Sequence, residues 1–222
     1  MEAVILAGGE SWRMKPHFKL PKALVEIEEG ETLLEWQVGW LLGHGFERII
    51  VCANKVLMED LDVLWSIEPE KLGTGGALKR ALRMCTEDFV YVLNVDDIII
   101  QNPLAIVMKV YHDDFQGVTI VVAEARLPYG LVKIERKGDI GKVLGFEEKP
   151  TLKDLYVSCG HYVWNRKLGL EYLPEKGDLE RTALPRLAKE GLLRAYIFKG
   201  EWFTINTYKD VVRFRKWLRG EL

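Results

Sequence analysis

Val4-Ile5-Leu6-Ala7-Gly8-Gly9-Glu10-Ser11-Trp12-Arg13-Met14 is an apolar run of strand length that ends in two glycines and an arginine, with Pro21-Lys22 further on. A run that is apolar on both faces predicts a central strand covered by helices on each side. Strand-length runs recur at Arg48 to Ala53, Phe89 to Val95 and Val118 to Ala123, with helical patterns between them, so the expected fold class is α/β. Thr32 and Glu35 make a capping box, Leu33, Trp36, Trp40 and Leu41 follow at helical spacing, and Gly43 or Gly45 supplies the stop. Further helices are expected from about Gly75 to Cys85 and from Pro103 to about His112. From Leu131 to Phe146, short alternating strands broken by Lys137, Gly138 and Asp139 predict a hairpin, which makes the sheet mixed. A strand at Tyr156 to Trp164, a helix from about Leu179 to Lys189, a strand at Leu192 to Phe198 and a helix from Lys209 to Leu218 complete the pattern. With no repeat or linker in view, residues 1–222 are expected to form a single domain.

Composition narrows the function classes. Thirty-one basic against thirty-three acidic side chains leave a net charge of −2, which offers no field for a nucleic-acid backbone. The longest apolar runs, such as Phe89 to Leu93 and Gly117 to Ala123, fall short of the roughly 20 residues a bilayer helix needs, so no membrane span is expected. Cys52, Cys85 and Cys159 are odd in number, widely spaced and set in apolar sequence, which suggests neither a disulfide framework nor a zinc site. Met1 leads within two residues into a strand without a basic n-region, so a cytoplasmic location is expected. The few residues after Leu218 leave no room for a further module. His17, His44, His112 and His161 show no metal-ligand spacing and are read as structural or surface residues.

The glycine loop is the first candidate site. Glycines let consecutive backbone N–H groups approach an anion, and Arg13 and Lys22 add positive charge that can neutralise a triphosphate. The dinucleotide pattern GxGxxG and the P-loop pattern GxxxxGK[ST] are both absent. A plain Gly-Gly turn with solvated Arg13 and Lys22 is the competing reading.

Longer motifs decide between them. The stretch LAGGESWRMKPHFKLPKALVEI resembles the N-terminal signature LAGGxGTRLxPxTxxxPKxLxxI of the sugar-1-phosphate nucleotidyltransferases. Gly8, Gly9, Arg13 and Pro16 match in register, and Pro21, Lys22, Leu24 and Ile27 match after a one-residue deletion. Further blocks follow in order: LGTGGAL at 72 to 78, LNVD at 93 to 96, PYGLV at 128 to 132, FEEKP at 146 to 150, CGHYVW at 159 to 164, LPRLAKEG at 184 to 191 and WFTINTYKD at 202 to 210. The resemblance implies a Rossmann-like three-layer α/β/α sandwich with a mixed, mostly parallel central sheet. It also implies attack of a sugar-1-phosphate oxygen on the α-phosphorus of a nucleoside triphosphate, with Mg²⁺ as cofactor and the two substrates as partners.

On that resemblance Ala7, Gly8 and Gly9 cradle the nucleotide, Arg13 and Lys22 hold the triphosphate, and Asp96 binds the metal. Gly75 and Gly76 lie against the base, with Glu68 upstream as a base-edge contact. Gly130, Glu148, Lys149, Gly160 and, more weakly, Glu180 fall on the sugar-phosphate side, Lys149 meeting the phosphate. Asp97 is read as a cap or a solvated residue. The pattern is broken where Ser11 stands for a glycine, Val95 for the glycine of the metal block, and Thr204 for a usual metal aspartate; Asn206, two residues on, is the candidate second ligand. Two rivals stand beside this reading, a weak or regulatory relative that binds the same ligands and a cytidylyltransferase for inositol or choline phosphate. Base, sugar and homo-oligomer state are left open.

Overall fold

The computed structural model of the chain describes residues 1–9, 20–112 and 115–222. Arg13, Ser11, Pro16 and His17 lie outside the described residues. The first strand, β1 (Glu2–Leu6), is buried along its whole length, and its side chains alternate between two cores. Ala3 and Ile5 join one, Val4 and Leu6 the other, which is what a two-sided apolar run requires. After β1 come the short ribbon β2 (Glu26–Glu28) and β3 (Glu31–Thr32), helix α1 (Leu33–Gly43), β4 (Arg48–Ala53), β5 (Leu64–Ile67), α2 (Gly73–Leu82) and β6 (Phe89–Asn94). The chain continues through β7 (Asp97–Ile99), α3 (Pro103–His112), β8 (Val118–Arg126), the hairpin β9 (Leu131–Lys137) and β10 (Ile140–Glu147), and β11 (Thr151–Asn165). Helices α4 (Arg166–Tyr172) and α5 (Ala183–Lys189), strands β12 (Leu193–Ile197) and β13 (Trp202–Thr204), and helix α6 (Tyr208–Leu218) close it.

Seven strands form the central sheet in the order β12-β8-β11-β6-β1-β4-β5. Every neighbour pair is parallel except those made by β11, which runs antiparallel to both β6 and β8. The sheet is therefore mixed and mostly parallel. Residues of α1, α3 and α6 fill the core on one face, and residues of α2, α4 and α5 fill it on the other. This is the expected α/β/α sandwich. Thr32 caps α1 with Glu35 in the reciprocal arrangement the sequence predicts.

Three elements differ from expectation. The buried face of α1 carries Leu34, Gln37 and Val38, while Trp36 and Trp40 are only partly buried, because they stack on each other at its edge and Trp36 meets the ring of Phe214 on α6. Helix α4 begins directly where β11 ends, capped by the Asn165 side chain, and the helix expected from about Leu179 to Lys189 starts at Ala183, the Leu179 N–H donating instead to Thr74 Oγ1 at 3.0 Å. Strand β11 is 15 residues long and is bulged twice against β8, which hides its alternation.

Candidate active site

Gly8 and Gly9 leave the carboxyl end of β1, Glu68 that of β5, and Asp96 that of β6, so three candidates meet along one edge of the sheet, where doubly wound folds place their ligands. The Ala7 N–H is used by the sheet, donating to Cys52 O at 2.9 Å, whereas Gly8 and Gly9 are exposed. A Cβ on Gly8 would lie 2.9 Å from Glu68 Oε1, so a side chain there would push that carboxylate back from the loop. Glu68 is nearly buried at 9% exposure, and its other oxygen accepts from Leu72 N at 3.1 Å at the start of α2.

Lys22 sits in a single 3-10 turn, Lys22–Leu24, anchored by the fully buried Ala23, Val25 and Ile27. Its ammonium donates to Asp96 Oδ2 at 2.5 Å and to Asn206 Oδ1 at 2.7 Å. Thr204 does not stand idle in the place of an aspartate. Its hydroxyl accepts from Asn206 Nδ2 at 2.8 Å, which turns the amide oxygen of Asn206 toward Lys22. Asn206 N is in turn held by Asp210 Oδ2 at 3.1 Å.

The turn that carries Asp96 is held by its carbonyls. Gln37 Nε2 donates to Val95 O at 3.2 Å and to Asp97 O at 2.7 Å, Ile205 N donates to Asp96 O at 2.7 Å, and the buried His161 places Nε2 3.0 Å from Asp97 O. Tyr91 OH lies 2.9 Å from His161 Nδ1, so a neutral imidazole that donates from Nε2 and accepts at Nδ1 satisfies every group. Sequence reasoning passed over Gln37 and Tyr91 and read His161 as a structural or surface residue, of which the buried structural role is the one observed; the signal for Gln37 was a polar residue among the apolar positions of α1. Asp97 is corrected: it is buried at 9% exposure rather than solvated, receiving Asn94 Nδ2 at 3.1 Å and Trp202 Nε1 at 3.2 Å. Burial, and then the charge of Asp96, push its carboxyl well above the usual carboxylate range.

Burial holds His161 down to about 3. Its folded value thus lies below the ordinary 6.5, the unfolded chain binds the extra proton, and the stability this residue permits is complete above pH 6.5 and lost as pH falls toward 3. Between pH 7.5 and 4.5 the wild-type chain should lose roughly 2–3 kcal/mol on this account, read from urea unfolding midpoints. His161→Gln should lack that share of the pH dependence; an unchanged slope would show that the imidazole is not the source.

Gly160, buried with φ +70, packs against the same turn: a Cβ there would collide with Asp97 Oδ2 and lie 2.7 Å from Asn94 Nδ2. Gly160→Ala is expected to cost about 2–4 kcal/mol, combining the left-handed backbone with overlap on a carboxylate that has no room to retreat. Chemical denaturation checks it, and a midpoint equal to wild type would contradict the packing.

The remaining candidates form groups of their own. A Cβ on Gly130 would lie against the Phe146 ring and 3.2 Å from Glu148 Oε2, and Glu148 pairs with Lys149 at 3.6 Å, both side chains exposed and Lys149 at φ +48. Glu180 accepts from Thr74 Oγ1 at 2.8 Å beside the first turn of α2. Gly75 and Gly76 are buried, and both N–H groups donate to Gly177 O, at 2.9 and 3.2 Å, so loop 174–177 closes on the helix there. Of that stretch, Glu68 is the residue that faces the glycine loop. A groove of about 910 Å³ opens beside Thr204, lined also by Trp202, Tyr156, Glu124 and Arg213.

A family described as nucleotidyl transferase matches residues 2–218. The chain belongs to that family. It is 31% identical to the mannose-1-phosphate guanylyltransferase catalytic subunit beta of Danio rerio, over 95% of this chain and 62% of that protein. The chain thus spans 62% of the length of the relative it matches. Among solved structures it is similar to HddC from Yersinia pseudotuberculosis, with 26% identity, a TM-score of 0.75 and coverage of 98% of this chain and 99% of that one. The same protein complexed with GMP-PN matches at 25% identity, a TM-score of 0.75 and the same coverage. The match takes in the glycine loop, Lys22 and Asp96 on which the sequence reading rested, and here Lys22 and Asp96 are in contact.

Proposed function

We propose that the chain transfers a nucleoside monophosphate from a nucleoside triphosphate to a sugar-1-phosphate and releases pyrophosphate. The observation that carries this is the convergence of Lys22, Asp96 and Asn206 on one point beside the exposed Gly8-Gly9 loop. In the step, an oxygen of the sugar phosphate bonds to the α-phosphorus, the bond from that phosphorus to the bridging oxygen breaks, and pyrophosphate leaves with the electron pair. The protein has little covalent work to do, and alignment and charge neutralisation carry most of the catalysis. Lys22 and Arg13 neutralise the triphosphate, and the N–H groups of Gly8 and Gly9 orient it.

The donor set at Lys22 fits a hard divalent cation. Two oxygens, one from a carboxylate and one from an amide, aim at a single point charge, and among the described residues no cluster of three or more His, Cys, Asp or Glu forms a complete protein cage. Mg²⁺ is commonly held in this way, by one or two protein oxygens with substrate phosphates completing its shell. When bound by Asp96 and Asn206 it would supply neutralisation of charge on the phosphate oxygens. With only one carboxylate in the set, binding of Mg²⁺ without nucleotide should be weak.

Guanine is the base this reading favours. Its edge offers N–H donors side by side, to which the constrained Glu68 carboxylate beside Gly8 is a matching acceptor. The Danio rerio relative is by name a guanylyltransferase, and HddC was solved with a guanine nucleotide analogue. On the acceptor side, Glu148 and Lys149 bind the sugar phosphate, and the groove beside Thr204 and Trp202 gives a hexose room along the same sheet edge. Pyrophosphate release by the purified chain with Mg²⁺ tests the proposal, each common nucleoside triphosphate being crossed with hexose-1-phosphates and with inositol and choline phosphates. A strong signal confined to GTP with a hexose-1-phosphate is expected. Silence across the matrix with nucleotide binding intact would move the chain to the regulatory reading, and a signal with CTP and an alcohol phosphate would replace the acceptor.

A further inference from the structure

The buried positions of α1 are Leu33, Leu34, Gln37, Val38 and Leu41, and of these Gln37 carries the polar side chain. It is fully buried, at a place where leucine or methionine would complete the apolar face. Its amide nitrogen spends both hydrogens on one turn, donating to Val95 O at 3.2 Å and to Asp97 O at 2.7 Å, while among the described residues its Oε1 has no partner. Turning the amide over would set Oε1 against two carbonyl oxygens, so its orientation is fixed. Satisfaction of buried backbone groups does not account for this arrangement. Asp97 O already faces His161 Nε2 at 3.0 Å, so the shorter bond from Gln37 is surplus to satisfaction, and the unpaired Oε1 adds a desolvation cost.

The two bonds straddle Asp96. Val95 O belongs to the peptide plane that enters Asp96, and the plane that leaves it is held through Asp96 O by Ile205 N at 2.7 Å. With both planes fixed, φ and ψ of residue 96 are fixed, and with them the direction of its Cα–Cβ bond. From Ile205 the chain passes directly to Asn206, whose Oδ1 shares the Lys22 ammonium with Asp96 Oδ2. We propose that Gln37 is a positioning residue for the reaction: it touches neither substrate nor metal, and it aims the Asp96 carboxylate at the point that carboxylate shares with Asn206. This rests on the reading of Asp96 as a metal ligand. Groups that orient a metal ligand carry about 10- to 100-fold in metal affinity or activity.

Gln37→Met keeps the volume and removes both donors together with the unpaired oxygen, and Gln37→Leu is a second apolar replacement in case methionine repacks. Mn²⁺ binding is read by electron paramagnetic resonance, with the metal alone and with a non-hydrolysable GTP analogue present. It is expected to weaken about tenfold or more, while far-UV circular dichroism and the urea midpoint stay near wild type. In an Asp96→Asn background the same change should cost no more than about twofold, because Gln37 acts through that carboxylate. Hydrogen exchange gives a ligand-free reading. The amides of Val95 and Ile205, bonded to Leu6 O and Asp96 O, should exchange faster in the variants, and those of Tyr91 to Leu93 on β6 should not. Unchanged Mn²⁺ affinity, an equal loss in both backgrounds, or wild-type exchange at Val95 and Ile205 would overturn the proposal, as would a lowered midpoint with metal binding intact. Silence in the turnover assay with the Mn²⁺ cycle as expected would count against the reaction and in favour of the role of Gln37.

Discussion

Replacing Lys22 by methionine is expected to lower the rate of pyrophosphate release by about 10²- to 10³-fold while leaving the fold intact. The Lys22 side chain is only 15% exposed, and its ammonium is the positive charge that two oxygens 2.5 and 2.7 Å away already contact. A preorganised charge of that kind acts on the phosphate oxygens without reorganising at the moment of reaction, which is why its loss should appear in kcat rather than in stability. The same geometry makes a second, oppositely signed expectation. Lys22 occupies the point at which Asp96 and Asn206 converge, so its removal should tighten binding of Mg²⁺ or Mn²⁺ in the absence of nucleotide, measured by calorimetry, even as turnover falls. Lys22→Arg should rescue little, because the planar guanidinium cannot take the place of a compact ammonium between two close acceptors. Turnover within threefold of wild type in Lys22→Met would remove the lysine from the site.

Asp96→Asn should be at least as damaging, by about 10²-fold or more in rate. The substitution keeps side-chain size and keeps the turn, whose carbonyls are held by Gln37, Ile205 and His161 rather than by the Asp96 side chain. What it deletes is, among the described residues, the only carboxylate that meets Lys22. Asp97 cannot stand in, since it is buried on the far side of the turn with Asn94 and Trp202 as partners. The dependence of rate on Mg²⁺ concentration should flatten in this variant. A wild-type Mg²⁺ titration curve with only a lowered ceiling would place the metal elsewhere.

The layers of the fold were legible because local signals and burial agree there. The runs at β1, β6 and β8 are apolar enough to name central strands, the run at β4 names a strand, and the Thr32 capping box states where α1 begins. Strand β5 was not legible: Leu64-Trp65-Ser66-Ile67 is four residues long and becomes a strand through pairing with β4, a contact no local pattern announces. The β7–β13 pair is likewise short and joins residues more than a hundred positions apart, yet it is what brings Thr204 beside Asp97 and sets Asn206 next to Lys22. Motif matching named Lys22, Asp96 and Asn206 separately. Their contact, and the clamp on the turn between them, depend on side chains from α1 and β11 that sit at ordinary core positions. Gly160 shows the limit from the other direction, since its place in a motif says glycine is present, while its positive φ and the Asp97 carboxylate against it say why.

The central claim, that this sheet edge joins a nucleotide to a sugar phosphate, is tested most directly by identifying the product. The purified chain would be incubated with Mg²⁺, GTP and a hexose-1-phosphate, and nucleotide sugar and pyrophosphate quantified together by mass spectrometry and phosphorus NMR. Equal amounts of GDP-hexose and pyrophosphate, both lost in Asp96→Asn, are the predicted result. Pyrophosphate accompanied by GMP and no nucleotide sugar would contradict it, because the α-phosphorus would then be yielding to water and not to the acceptor.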